Sequence, residues 1–356
     1  MKILIISTPI GFIGSGVGGR VETYIKQTTI ELIKLGWEVD IIAPENSKWN
    51  NSICKPKNLF IINGKQPINV INDSMNSPYI EVEDGILSKM LNYANTIQKN
   101  YDFILNNSYD WLSYWITDFF ITPIIHIIHM KYTTNIMKNI IGEISKKKPQ
   151  NLIFNSNFTF ESYSLSITPN IIYPHINSYL YDYNHNPSNK YLGFVGRISP
   201  EKGIENALTV AQKTGKKLIV WGIIQDNEYK KNIMTKDNQN TIIWKDYINN
   251  EMLGKQLGKL YALLILGNWE ESFGYAAIEA NACGVPVICF NKGGTKEAII
   301  NNSTGYVVSN LEEAVICVDK IDKIDRKCCR ENVLSKFSEN TINNIQNYLL
   351  QYKKNY

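Results

Sequence analysis

Two carboxylates, Glu271 and Glu279, stand eight positions apart with Phe273 and Gly274 between them. The surrounding run, Trp269 to Ile288, passes from loop to helix to strand. Ala276, Ala277, Ala280 and Ala282 favour a helix, Gly284 can end it, and Pro286 opens a buried extended stretch. The first amides of such a helix lack intrahelical partners and, with the aligned peptide dipoles, favour an anion such as phosphate in front of them. Carboxylates repel phosphate, so Glu271 in the approach loop and Glu279 in the helix are read as acceptors for neutral hydroxyls, those of a sugar. The plainer alternative on this run alone is a solvated loop Glu271 and an exposed helical Glu279.

Cations for the same anion occur in Gly196-Arg197-Ile198-Ser199-Pro200-Glu201-Lys202-Gly203. Arg197 and Lys202 follow a predicted strand, Tyr191 to Gly196, at the carboxyl end where open α/β sheets bind ligands. Gly293-Gly294 forms a further strand-to-turn junction, expected to add amides nearby. Near the N-terminus the strand Lys2 to Ser7 leads into Gly11, Gly14, Gly16, Gly18 and Gly19, then a helix from about Val21 to Leu35. Strand, Gly-rich loop and helix in that order bring backbone amides close to a phosphate. The loop is too long for the dinucleotide fingerprint, and the strand Glu38 to Ala43 does not end in a ribose-binding acid, which counts against an NAD oxidoreductase.

His126 and His129 lie three apart in a predicted strand, Pro123 to Met130, and so point to opposite faces. Only one can look into a cleft. His129, nearer the carboxyl end, is the first choice, and a satisfied core histidine is the alternative. Tyr109, Asp110, Trp111 and Tyr132 fall at or beyond carboxyl ends of predicted strands, where a flat ring could stack; they could equally be core aromatics.

Positioning these residues takes two alternating strand–helix series, an α/β fold of two doubly wound domains. The first holds strands at Lys2–Ser7, Glu38–Ala43, Asp102–Asn106, Pro123–Met130 and Asn151–Asn155, with irregular Asn-rich excursions and short strands over Glu45–Tyr79 and a helix near Trp111 to Phe120. The second holds strands at Tyr191–Gly196, Lys217–Trp221, Thr241–Trp244, Ala262–Leu266, Val285–Phe290 and Tyr306–Val308. The expected division is 1–174 and 175–337. An amphipathic helix over about 338–356 (Ile342, Ile345, Leu349, Tyr352) is expected to pack back on the first domain.

Composition agrees with a globular protein of two domains: 356 residues, 44% apolar and 20% charged, with a formal net charge of +4. That charge is too small to argue for nucleic acid; Lys146-Lys147-Lys148 is the one local basic run. Six cysteines without CxxC spacing suggest reduced thiols and a cytoplasmic setting. No stretch approaches the roughly 18 apolar residues of a spanning helix. There is no Asp-x-Asp and no His/Cys cluster, so neither a metal nor another cofactor is expected.

The loop ending Gly18-Gly19, the Gly196-Arg197…Glu201-Lys202-Gly203 loop, Glu271 and Glu279 around Phe273-Gly274, and Gly293-Gly294 together resemble family 4 glycosyltransferases of the GT-B fold, over nearly the whole chain. More narrowly, Ser7-Thr8-Pro9-Ile10-Gly11, Gly18-Gly19-Arg20-Val21-Glu22, Tyr109-Asp110-Trp111-Leu112 and Val220-Trp221-Gly222 are similar to cyanobacterial UDP-glucose:tetrahydrobiopterin glucosyltransferases. The resemblance implies two Rossmann-like domains facing a central cleft. It also implies that Glu279 binds ribose hydroxyls, Glu271 holds the donor sugar, and the amides of Phe273 and Gly274 meet sugar or phosphate. Arg197 and Lys202 would neutralise the departing diphosphate, with Gly18-Gly19 closing over it.

A histidine beside the reacting sugar falls at His129 or His126. Tyr109, Asp110, Trp111, His126 and Tyr132 become acceptor-side candidates. The implied reaction is retaining and metal-independent, moving glucose from UDP-glucose to a small acceptor such as a pterin. A lipid or glycan acceptor with peripheral membrane contact, and a non-catalytic nucleotide-sugar binder, are the alternatives. The sequence does not address oligomeric state.

Overall fold

The computed structural model describes residues 1–14, 20–66, 84–187, 190–245, 247–248 and 250–355. Gly18 and Gly19 lie outside the described residues. The chain divides into two compact units, Met1–His175 with Thr341–Tyr356, and Ile176–Asn340.

Unit 1 is built on β1 (Lys2–Ile6), β2 (Glu38–Pro44), β3 (Asn58–Ile62), β4 (Phe103–Asn106), β5 (Ile124–Ile128) and β6 (Leu152–Phe154), in the order β3-β2-β1-β4-β5-β6. Every pairing is parallel. Strands buried on both faces must be apolar at every position, and β1 shows why. Ile3 and Ile5 join one core with the helix Ile342–Asn355, while Leu4 and Ile6 join the other with the helix Ile86–Ile97. The helix Ile342–Asn355 is tied to unit 1 at its polar edge as well. Tyr352 donates to Asn151 Oδ1 at 2.9 Å, and Lys353 pairs with Asp102 at 2.6 Å.

Unit 2 repeats the plan with β7 (Leu192–Val195), β8 (Leu218–Trp221), β9 (Ile242–Lys245), β10 (Ala262–Ile265), β11 (Val287–Phe290) and β12 (Gly305–Val308), ordered β12-β11-β10-β7-β8-β9 and parallel throughout. Both sheets reverse direction of winding at one point, between β1 and β4 and between β7 and β10. Crevices at the carboxyl ends of such strand pairs are where doubly wound sheets bind ligands. The loops in question are Ser7–Gly14 with Asn107–Asp110, and Gly196–Gly203 with Leu266–Gly274.

One of the short strands expected within Glu45–Tyr79 is the edge strand β3, whose residues Asn58–Ile62 are only partly buried. Two local expectations need correction. The strand expected to run to Met130 stops at Ile128, leaving His129 in the loop beyond it. The helix expected over Trp111 to Phe120 is a short α-helix, Trp111–Trp115, followed by a 3-10 turn at Ile116–Phe119.

Candidate functional site

In unit 2 the loop after β7 is held against the loop after β10. The amides of Asn268 and Trp269 both donate to the Glu201 carbonyl, at 3.1 and 3.2 Å. That clamp brings Lys202 Nζ onto Glu271 Oε1. Both side chains stay partly open, 18% and 34% exposed. Arg197 is oriented separately, by Glu201 at 3.2 Å and by Gln225, whose Oε1 accepts from it at 2.8 Å.

Beyond Glu271 the chain enters the helix Tyr275–Ala282 through a buried Phe273 and Gly274. Gly274 has φ +110°, a region that side-chain-bearing residues rarely adopt. A Cβ there would also stand 2.8 Å from Thr295 Oγ1. Gly274, at the N-cap position, has no side chain with which to cap the helix. Gly293-Gly294, expected to add amides for a ligand, has another use. The Gly294 amide donates to the Glu271 carbonyl at 2.7 Å, and a Cβ on Gly294 would meet the Ser272 carbonyl at 2.2 Å. The glycine pair lets one turn buttress the backbone that carries Glu271.

Glu279 has no exposed surface. The Tyr181 hydroxyl donates to its Oε1 at 2.8 Å, and Arg330 binds the carbonyls of Tyr181 and Ala282 at 2.9 and 2.7 Å. Arg330 therefore ties the Tyr181 segment to the end of the helix that bears Glu279. Neither Tyr181 nor Arg330 was singled out from sequence, because the contact joins positions 98 apart. The buried thiols of Cys283, Cys289 and Cys329 are each pushed up to about 12 by burial and are inert near neutrality.

Unit 1 separates the two histidines. His126 is 0% exposed, with Nδ1 on Asn106 Nδ2 at 3.0 Å and Nε2 on Thr117 Oγ1 at 2.8 Å. Both ring nitrogens are engaged, so His126 is a core residue and no acceptor ligand; this corrects its place among the acceptor-side candidates. His129 sits just beyond β5, its Nε2 on Asn107 Oδ1 at 3.0 Å and its ring edge-on to Tyr24 at 5.0 Å. Since the Asn107 carbonyl oxygen accepts, Nε2 carries the proton. Asn155 donates to the His129 carbonyl at 2.7 Å. Burial depresses both imidazoles to about 3, so both are neutral.

The other acceptor-side candidates are divided in their environments. Asp110 caps the helix Trp111–Trp115 by accepting from the Leu112 amide at 2.9 Å, and burial raises its carboxyl above the usual range. Trp111 and Tyr132 pack partly buried against the core around Tyr114, Ile128 and Tyr163. Tyr109 stands beyond the carboxyl end of β4, its phenol raised by burial and then by the charge of Glu22.

With these loops in place, the comparison with known proteins is direct. Residues 179–342 match the family of group 1 glycosyl transferases. The matched span covers nearly all of unit 2, Ile176–Asn340. Arg197, Lys202, Glu271, Phe273, Gly274 and Glu279 all lie within it.

The chain is 31% identical over 138 residues to a D-inositol 3-phosphate glycosyltransferase of Segniliparus rotundus, covering 35% of this chain and 30% of that protein. It spans less than half the length of the curated relatives it matches. Fold likeness reaches further than sequence. Sucrose-phosphate synthase from Thermosynechococcus elongatus superposes with a TM-score of 0.75 at 19% identity, covering 99% of this chain and 98% of that one. Anabaena HepE in complex with UDP-glucose gives 0.70 at 16% identity, over 99% and 100%. The chain thus has the GT-B fold, two α/β units each built on a six-stranded parallel sheet. Among the described residues no group of three or more His, Cys, Asp or Glu side chains could hold a metal, and no helix is long and apolar enough to cross a membrane.

Proposed function

We propose that the protein is a retaining, metal-independent glycosyltransferase that moves glucose from UDP-glucose to a small acceptor, tetrahydrobiopterin or a related pterin. The observation that carries the reading is the cation pair at the switch point of unit 2. Arg197 and Lys202 stand in the loop after β7, and Lys202 is held on Glu271, two residues before Phe273 and shortly before the start of the helix Tyr275–Ala282.

Breaking the anomeric bond of a nucleotide sugar builds negative charge on the diphosphate. Fixed cations and backbone amides there stabilise the transition state more than the ground state. Lys202 would exchange part of its contact with Glu271 for phosphate, freeing Glu271 to accept from a sugar hydroxyl. Glu279, held by Tyr181, supports the ribose from behind the helix start, and Gly18-Gly19 would close over the diphosphate. His129, neutral with its proton on Nε2, would lie beside the reacting sugar. The donor is proposed from that of HepE, which shares only the fold.

Calorimetric titration with UDP-glucose, GDP-mannose and UDP-N-acetylglucosamine in the presence of a chelator, followed by UDP release with tetrahydrobiopterin, tests the whole. Selective UDP-glucose binding and pterin-dependent release support it. Donor binding without turnover by any acceptor would leave a nucleotide-sugar binder.

A second reading, with the acceptor on a membrane, draws on one surface of unit 1. Trp115, Phe119 and Ile121 are 52%, 59% and 78% exposed, and Asp118 beside them pairs with Lys147 and Lys148 at 3.9 and 2.9 Å. Aromatic and basic side chains together suit an anionic lipid surface. Lys146 and its two neighbours are all balanced by Glu143 or Asp118, which weakens this reading. Salt-sensitive co-sedimentation with phosphatidylserine vesicles would favour it over the pterin.

A further inference from the structure

The switch point of unit 1 holds a carboxylate to which the reading above gives no task. Glu22 lies in the first turn of the helix Arg20–Lys34 and is 6% exposed. Its Oε1 accepts from the Thr8 hydroxyl at 2.5 Å, and Thr8 Oγ1 in turn accepts from the Gly11 amide at 3.3 Å. A Cβ on Gly11 would stand 2.0 Å from that same Oε1, so the loop after β1 is pressed onto the carboxylate. Glu22 Oε2, by contrast, is buried with no hydrogen-bond partner among the described residues.

The neighbouring strand end shows a second such atom. The Asn107 amide donates to the Ile6 carbonyl at 3.0 Å, which sets Asn107 to Tyr109 alongside Ser7 and Thr8. There Ser108 Oγ is also buried without a partner among the described residues. The charge of Glu22 reaches Tyr109 in this same crevice.

An unsatisfied buried acceptor is costly, and an ionised one more so. Bracing the loop requires one oxygen, which Thr8 already occupies; the second has no partner among the described residues. We propose that Glu22 Oε2, with Ser108 Oγ on the adjacent strand end, forms a subsite that receives a hydrogen-bond donor of the acceptor, a hydroxyl or amino group on a neutral molecule. The subsite rests on the transferase reading, with unit 1 as the acceptor side. A fixed carboxylate repels phosphate at the same place, so the subsite selects against an acceptor phosphorylated next to that donor.

Titration of the full chain with tetrahydrobiopterin, comparing wild type with Glu22→Gln and Ser108→Ala, tests the subsite, and thermal melting of Glu22→Met adds an arm that needs no ligand. The expected result is a loss of tetrahydrobiopterin affinity of about tenfold or more in Glu22→Gln, larger than any change in UDP-glucose affinity. Glu22→Met should melt at or above wild type, because an uncompensated buried charge has been removed. Unaltered tetrahydrobiopterin affinity in Glu22→Gln, or a Glu22→Met protein that melts well below wild type, makes Glu22 a loop brace and overturns the subsite.

If wild type binds no tetrahydrobiopterin, the pterin reading fails by itself. The Glu22→Met melt then still decides the subsite, together with Glu22→Gln assayed on whichever acceptor a UDP-release screen returns. A phosphorylated acceptor whose affinity is indifferent to Glu22→Gln would refute it.

Discussion

Lys202 Nζ is paired with Glu271 Oε1 across 69 positions of sequence. The pair exists because the loops after β7 and β10 are clamped together by the Glu201 carbonyl, not because the two residues are near in the chain. Lys202→Met is expected to lose about 1.5–3 kcal/mol of transition-state stabilisation, the usual worth of a hydrogen bond to a charged group. That is about one to two decades in kcat/KM for the nucleotide sugar. Arg197→Met should lose a similar amount. Steady-state UDP release checks both, and unchanged turnover in the two variants would remove the diphosphate from this loop.

Gly274→Ala should damage the same site through the backbone. It places a methyl group at φ +110° and close to Thr295, at a cost of about 1–3 kcal/mol for the dihedral alone. Urea denaturation measures the stability loss, and UDP calorimetry measures the displaced helix start. A variant with wild-type affinity would show that Phe273 and Gly274 do not meet the donor.

Tyr181→Phe removes the hydroxyl that donates to the buried Glu279 at 2.8 Å. Removing one partner of a buried charged group costs about 1–3 kcal/mol. Melting temperature should fall and UDP affinity should fall with it, since Glu279 loses its orientation. If stability falls while UDP affinity is unchanged, Glu279 belongs to the core rather than to the donor site.

Burial holds His126 and His129 at about 3, against an ordinary value of about 6.5. The unfolded chain therefore binds more protons than the native one between those values. The stability contributed by the neutral imidazoles is complete above pH 6.5 and is lost as pH falls toward 3. Between pH 6.5 and 5 the unfolding free energy should drop with a slope approaching about 1.4 kcal/mol per pH unit for each histidine. His129→Gln should lower that slope by one proton and also reduce turnover. His126→Gln should chiefly destabilise, because it breaks contacts to Asn106 and Thr117. Urea titrations at stepped pH, paired with UDP release, separate the two roles; equal effects on turnover would return His126 to the site.

Much of the architecture was legible because it follows from local rules. Apolar runs such as Lys2–Ile6 and Val287–Phe290 can only be buried parallel strands, and the Ala-rich run after Gly274 can only be helix. Short strands were expected within Glu45–Tyr79, but the half-exposed face of β3 left its bounds unmarked, and the end of β5 was misplaced because Met130 continues the apolar run past Ile128. The site residues were legible as types, and their partners were not. Gly293-Gly294 read as ligand amides, whereas Gly294 serves the Glu271 carbonyl. Glu22 stands three positions after Gly19, in plain view, yet nothing local marks one of its oxygens as unsatisfied.

The sequence by itself determined the alternation of strands and helices, the breaks between them and the presence of cations, carboxylates and glycines in loops after strands. Those features depend on backbone sterics and on hydrophobic periodicity within a few residues. Only the tertiary structure decided which loops meet. Strand order places β7 beside β10 and β4 beside β5, which sets Lys202 on Glu271 and Asn107 on His129, while Arg330 draws the Tyr181 segment to the helix that bears Glu279. It also buried His126 with both nitrogens occupied. Such contacts join residues far apart in the chain, and they exist only once two sheets have chosen their strand neighbours and desolvated the groups between them.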